Sequence, residues 1–257
     1  MPGPIHGIKV LELAQIMAGP SCGLLLADLG ADVVKIEKIP DGDDTRRFTP
    51  PDVNGEAAAF MTMNRNKKGF ALDLKSNEGK EVFKKMVKKA DVIVENFRKG
   101  TLEKLGIGYE ELKKINPKII LCEISGYGRT GPYADKGGFD LVAQGMSGLM
   151  SITGESSDKP PMKVGAPITD ITAGILGATG VLAALIHREN RRRSRGERLN
   201  QNPGSASPLN LSQPKHRYFL EGTKFGEGGP NVTQSVQGIK DYCNDSESQQ
   251  QHSMQST

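Results

Sequence analysis

Tryptophan is absent from this chain of 257 residues, and aromatic residues make up only 5% of it. So few rings argue against a surface built to stack bases. An excess of one charge is also missing. The formal net charge is +4, too mild to imply a nucleic-acid partner. The three cysteines, Cys22, Cys122 and Cys243, are odd in number and far apart. They fit neither a zinc pattern nor a disulfide framework, so no metal site is expected, and a reducing, cytoplasmic location fits best. Cys22 and Cys122 lie in apolar runs and read as core. The first residues lack the basic region and long apolar run of a secretory leader. The longest uncharged apolar stretch, Ile171 to Ile186, falls short of the roughly 20 residues of a membrane span. It is rich in Gly and Thr, and reads as a buried helix, with no membrane partner.

What the chain does contain is a run of α/β signals. Ile8 to Leu13 reads as a strand. Pro20 suits the first turn of a following helix, Gly30 ends it, and Ala31 to Glu37 is a second strand. Together they form a β-α-β unit, the opening of a doubly wound sheet. Glu37 stands where a ribose-binding acid would close a dinucleotide site. The turn before the helix offers only Ala18-Gly19-Pro20 and lacks G-x-G-x-x-G, which argues against nicotinamide or flavin.

Residues 38–66 read as a loop, followed by the basic cluster Asn64 to Lys68 and an exposed edge strand from Phe70 to Leu74. Ser76 or Asn77 caps a helix with Val82, Phe83, Met86 and Val87 on its apolar face. Asp91 to Glu95 and Ile119 to Ser125 are further strands, with short helices at Leu102–Leu105 and Tyr109–Ile115 between them. A glycine-rich loop from Gly126 to Pro132 leads to Gly137-Gly138-Phe139-Asp140 and a helix through Met146. The carboxyl ends of these strands carry Lys, Arg, Asn and Gly, where ligands bind in open α/β sheets.

Val164 to Asp170 then introduces the helix Ile171 to Ile186. Gly174, Gly177, Ala178 and Gly180 leave one of its faces flat, so that a neighbouring backbone can approach. Asp170 has two readings. In one it is an N-cap, accepting the free amides of the first turn. In the other it is a nucleophile held ionised by the positive end of the helix. From Asn190 onward the composition turns polar and no helical or strand period persists. The division is therefore 1–190 as one α/β domain and 191–257 as a low-order tail or remnant of a linker and small domain. The arginine run at Arg191 to Arg195 is weak evidence for nucleic acid.

Gly7 to Glu12, Ala18-Gly19-Pro20, Leu29 to Glu37, Asn66-Lys67-Lys68, Glu95 to Gly100, Gly126-Tyr127-Gly128 and Thr169-Asp170, in this order and spacing, resemble the class III CoA-transferases. That group includes formyl-CoA transferase, the carnitine CoA-transferases and α-methylacyl-CoA racemase. The resemblance runs from about residue 4 to about residue 190, after which the chain reads as truncated or altered. It implies a Rossmann-like, mostly parallel sheet with most of a small domain missing, and an interlocked homodimer in the full-length form. It implies coenzyme A, carried as an acyl-CoA substrate, and a carboxylic acid as partners, dicarboxylates being the family habit.

By the same resemblance Asp170 is the catalytic nucleophile. Met17 and Ala18 line the thioester region, and Lys38 lies near the adenosine phosphate. Leu72, Asp73, Leu74 and Lys75 form the adenine side. Asn96, Phe97 and Arg98 surround pantetheine and phosphates, and Lys104 adds a charge. Gln15, Phe139 and Asp140 are candidates to touch the substrate or to support the reacting groups from behind. The racemases carry a His-Asp pair where this chain has Phe139-Asp140. Phe139 cannot serve as acid or base, which favours transfer over isomerisation. Formyl-CoA transferase carries a Gln at the position of Met17, which argues against oxalate and formate. An inactive acyl-CoA-binding remnant is the remaining alternative.

Overall fold

The computed structural model describes residues 2–156, 158–200 and 217–220. β1 (Lys9–Glu12) leads into α1 (Ala18–Asp28) and β2 (Asp32–Glu37). A single 3-10 turn at Asp44–Arg47 follows. A small hairpin, β3 (Asp52–Val53) and β4 (Glu56–Ala57), comes next, then α2 (Ala58–Asn64). β5 (Lys68–Ala71), α3 (Asn77–Val87), β6 (Val92–Glu95), α4 (Thr101–Lys104), α5 (Tyr109–Ile115) and β7 (Ile120–Ile124) complete the α/β alternation. α6 (Asp140–Met146), a 3-10 turn at Leu149–Ile152, α7 (Ile168–Asn200) and β8 (Arg217–Leu220) follow.

The main sheet runs β5-β2-β1-β6-β7-β8, and every neighbouring pair is parallel. Side chains alternate across it with the period of a strand. Val10, Val33, Val92, Val94, Ile120 and Cys122 face the layer formed by α1 and α7. Leu11, Ile36, Ile93 and Leu121 face the opposite layer, where Phe83 and Val87 of α3 and Leu112 of α5 are buried.

Several expectations need correction. Residues 38–66 are not a plain loop. Asn54 and Gly55 both adopt positive φ, 53° and 83°, the pattern of a two-residue hairpin turn whose backbone twist suits the flanking strands. α2 forms from alanines and methionines, good helix formers, but none of its residues is fully buried, so no apolar stripe announces it. The edge strand β5 lies two residues earlier than expected and is exposed throughout. Val82 of α3 is exposed, leaving Phe83 and Val87 as its anchors. Ser76 caps α3 as expected, accepting the Gly79 amide at 3.0 Å.

α7 crosses position 190, and β8 adds a strand next to β7. Its four residues are too few to display a period in the sequence. The remainder of the tail expectation lies outside the described residues. The segment Ile168–Asn190 is long and apolar enough, by length and composition, to cross a membrane, more than the sequence reading allowed. One face of it packs into the protein through Ala178, Val181, Ala184 and Leu185. At Gly174 a Cβ would lie 2.5 Å from Ser21 Cβ and 2.8 Å from the Ala18 carbonyl oxygen. The absence of that carbon is what lets α1 and α7 approach so closely. Gly126 and Gly138 make a second such contact, where a Cβ on Gly126 would lie 2.3 Å from Gly138 Cα.

Candidate active site

Parallel strands bring their carboxyl ends to one edge of the sheet, and the turns leaving that edge hold most of the expected ligand positions. The first is the β1–α1 turn. Ile16 has φ 69°, a left-handed conformation in which a β-branched residue is strained. Buried charges hold it there. Asp43 accepts the Ile16 amide at 3.1 Å and lies 2.8 Å from Lys35. It also accepts the amide and hydroxyl of Thr45 at 3.0 and 2.8 Å. Lys35 reaches Glu12 and the Ala14 carbonyl, each at 2.9 Å. Lys67 lies 2.8 Å from the other Glu12 oxygen and donates to the Pro20 carbonyl at 2.9 Å.

Burial pushes the Lys35 ammonium down and the Asp43 carboxyl up, but each is overridden by its partners. Lys35 stays above its usual range and Asp43 below. Lys67 is lowered, because burial outweighs the pull of Glu12.

The next turn, after β6, is stitched to the first. The Asn96 side chain accepts the Gln15 amide at 2.9 Å and donates to the Gln15 carbonyl at 2.7 Å. Gln15, Met17, Ala18 and Asn96 therefore form one rim. The Phe97 amide donates to Glu95 at 2.7 Å, and its carbonyl accepts Arg129 at 3.2 Å. Arg129 also pairs with Glu95 and lies 3.3 Å from Glu123. Burial, reinforced by Glu123, raises Glu95 to about 8.

Lys75 and Arg98 follow the carboxyl ends of β5 and β6 and are exposed, as is Lys104 at the end of α4, and Arg98 has no ion-pair partner among the described residues. Lys38 is also exposed, 2.6 Å from Asp44. Leu72 and Leu74 pack on the core, while Asp73 receives the Lys75 amide at 2.8 Å. Glu37, the residue in the ribose position, is occupied by Arg46 through two bonds of 2.7 and 2.8 Å, and Arg46 stacks 3.7 Å from the centre of the Phe60 ring.

Asp170 arrives at the same edge. α7 runs down to the opposite, amino edge and passes it at Arg188, which pairs with Asp91 at 2.8 Å. Its start therefore stands above the β1–α1 turn, and Gly174, one turn below Asp170, touches Ala18 and Ser21. Asp170 is not the N-cap, because α7 begins at Ile168. The cap comes from another helix. Asp140 Oδ1 accepts the Thr169 amide at 2.9 Å, the Thr169 hydroxyl at 2.6 Å and the Asp170 amide at 3.4 Å.

Burial pushes Asp140 up, but hydrogen bonds from Thr169 and Gln144 hold its carboxyl below the ordinary range. At Asp170 the shift runs opposite to the one a helix N-terminus favours. Burial and the neighbouring Asp140 charge raise its carboxyl to about 6. No hydrogen-bond donor reaches that carboxylate among the described residues. Phe139 is 66% exposed and contributes no polar atom.

Sequence reasoning missed the buried set Glu12, Lys35, Asp43 and Lys67, the Glu95–Arg129–Glu123 cluster, and Gln144. For Glu12, Lys35, Glu95 and Glu123 the available signal was an ionisable residue inside a run that otherwise reads as a strand buried on both faces, while Asp43, Lys67, Arg129 and Gln144 lie outside strands and carried no such signal. Among the described residues no group of His, Cys, Asp or Glu is placed to hold a metal ion.

The model of CoA-transferase family III matches residues 5–215, past the limit near 190 that the motifs indicated. The succinate–glutarate CoA-transferase of Agrobacterium fabrum is 42% identical over 239 residues, 90% of this chain and 59% of that protein. The succinyl-CoA:mesaconate CoA-transferase of Haloarcula hispanica is 46% identical, covering 73% of this chain and 49% of that protein. A crystal structure of a CaiB/BaiF family protein from Brucella suis is 47% identical with a TM-score of 0.71, over 74% of this chain and 51% of that one. The chain thus spans about half to three-fifths of the length of the relatives it matches.

Proposed function

The chain belongs to CoA-transferase family III, and from that premise we propose that it moves coenzyme A from an acyl-CoA thioester to a free carboxylic acid, with Asp170 as the covalent acyl acceptor. The observation that carries this reading is the state of Asp170. It is half-buried at the ligand-binding edge, bears no hydrogen-bond donor on its carboxylate among the described residues, and has its carboxyl raised to about 6. A carboxylate of raised basicity with free lone pairs is a stronger nucleophile than an ordinary surface aspartate.

An Asp170 oxygen attacks the thioester carbonyl. The carbon–sulfur bond breaks, coenzyme A leaves as its thiolate, and a mixed anhydride remains. The thiolate then attacks the Asp170 carbonyl carbon, releasing the donor acid as carboxylate and leaving an aspartyl-CoA thioester. The acceptor carboxylate repeats the two exchanges in reverse order. Each step trades acyl groups of similar energy, so the cycle consumes no ATP. Backbone amides of a glycine-rich segment would hold the oxyanion.

Asn96, Phe97 and Arg98 would hold pantetheine and phosphates, Lys38, Lys75 and Lys104 would add charge, and Leu72 to Leu74 would flank the adenine. The relatives' names point to succinyl-CoA as donor and a dicarboxylate as acceptor.

The test is to incubate the chain with succinyl-CoA and glutarate, follow glutaryl-CoA by mass spectrometry, and trap the acyl group on the peptide containing Asp170. Asp170→Asn should lower transfer by about 10³-fold or more. Because the attacking form is ionised, the acylation rate should rise as pH passes through about 6. Transfer by Asp170→Asn at the unmodified rate would overturn the proposal.

A further inference from the structure

Gln144 lies on α6, is 0% exposed, and is buried beneath the start of α7. Its amide nitrogen donates to Asp140 Oδ2 at 2.6 Å and lies 3.5 Å from the Val164 carbonyl. Its amide oxygen accepts the Val164 amide at 2.8 Å. One side chain therefore fixes both the segment that delivers the chain to α7 and the carboxylate that caps α7. Asp140 presents its other oxygen to Thr169 and Asp170. With Oδ2 committed to Gln144, Oδ1 is the oxygen turned to the first turn.

The other titratable groups near α7 do not compete. Among the described side chains α1 brings Cys22, whose thiol is raised by its hydrogen bond to Cys122 and by burial, and Asp28 at its far end. β7 brings Cys122 and Glu123, and Glu123 faces Arg129. Asp140 is the charged neighbour that Asp170 senses.

We propose that Gln144 is a positioning residue for the acyl-accepting carboxylate, acting through Asp140 to set both the place and the ionisation of Asp170. It is an amide, so it donates to Asp140 at every pH and keeps that carboxylate charged and oriented. This rests on the reading of Asp170 as acyl acceptor, and the experiment separates the two.

The test variants are Gln144→Glu and Gln144→Met in the full chain. Glutamate keeps the acceptor for Val164 but sets a second carboxyl oxygen against Asp140. Two carboxylates at that distance share a proton, and one of them titrates high. The readout is a ¹³C-carboxyl NMR titration of aspartate-labelled protein, with Asp140→Asn and Asp170→Asn identifying the two signals, beside acyl trapping over the same pH range.

In Gln144→Glu the Asp140 midpoint should rise by at least about one unit, and the Asp170 midpoint should move with it. Trapped acyl should rise as Asp170 ionises and then fall as pH passes the new ionisation, where the shared proton that orients Asp140 is lost, a falling limb that the unmodified chain lacks. Gln144→Met should trap less acyl at every pH, with no new limb. Unmoved Asp140 and Asp170 midpoints in a folded Gln144→Glu protein would overturn the proposal. So would a shift of Asp140 that leaves the Asp170 midpoint and acyl trapping as in the unmodified chain. If the unmodified chain traps no acyl group while both midpoints still move in the variant, the positioning role stands and the transfer reading falls.

Discussion

Glu12, Glu37 and Glu95 close their parallel strands and Glu123 stands one residue before the end of its own, and each has a base against it. Lys35 and Lys67 serve Glu12, Arg46 serves Glu37, and Arg129 serves Glu95 and Glu123. Asp170 differs, facing another carboxylate instead of a base. Its raised folded-state value has a consequence for stability. A carboxyl that titrates near 6 when folded, against an ordinary 3.8, binds its proton more tightly in the native state. Ionisation therefore costs native stability, with no penalty below the ordinary value and the full penalty above about 6. Asp170→Asn should melt at a higher temperature than the unmodified chain above that pH. The gap should close on acidification below about pH 4, and a constant gap at all pH values would contradict the burial argument. The sequence marked Asp170 as a candidate but mistook its electrostatics. A helix N-terminus favours a negative charge, yet Asp140, thirty residues earlier in the chain, has already taken those amides, and no local pattern carries that information.

Among the elements, α7 shows how small residues convert into geometry. Gly174 lets α1 come close, while Gly180 has nothing within 4 Å of where its Cβ would stand. Gly174→Ala should lower stability by about 1–3 kcal/mol through overpacking and displace Asp170 one turn away. Gly180→Ala should be neutral or stabilise by up to about 1 kcal/mol. Paired thermal melts would decide, and equal effects at the two sites would refute the close-contact argument. The close approach at Gly174 was legible from the run of small residues in one uncharged stretch, but Gly180, expected on the same flat face, meets no neighbour. The hairpin at Asn54-Gly55 was equally legible in principle, since that dipeptide is a strong turn signal, but the surrounding prolines masked it. α2 lacked any buried face from which a period could be read.

At the scale of the molecule, the opening β-α-β unit and the parallel alternation were readable, because buried strands and amphipathic helices leave different periods. The strand order was not readable, nor was the return of the chain at β8, since both depend on contacts distant in sequence. Every coenzyme A position proposed above falls within the first 104 residues. The chain should therefore gain stability from coenzyme A despite its length relative to its relatives. At about 100 times the dissociation constant the gain should be roughly 2.7 kcal/mol. Phe139, Leu141, Val142, Ile175 and Ile186 leave an apolar surface on α6 and α7. The family resemblance implies a homodimer only in the full-length form; if a second copy of this chain covers that surface, the melting temperature should also rise with protein concentration. A melt indifferent to coenzyme A would mean that the cleft needs the length found only in the relatives. The contact of Gly126 with Gly138 carries a consequence of another kind, for descent. Neither position can accept a side chain while the other stays as it is, and enlarging both only deepens the clash. Each is therefore held to glycine by the backbone of the other, and no change at one can rescue a change at its partner.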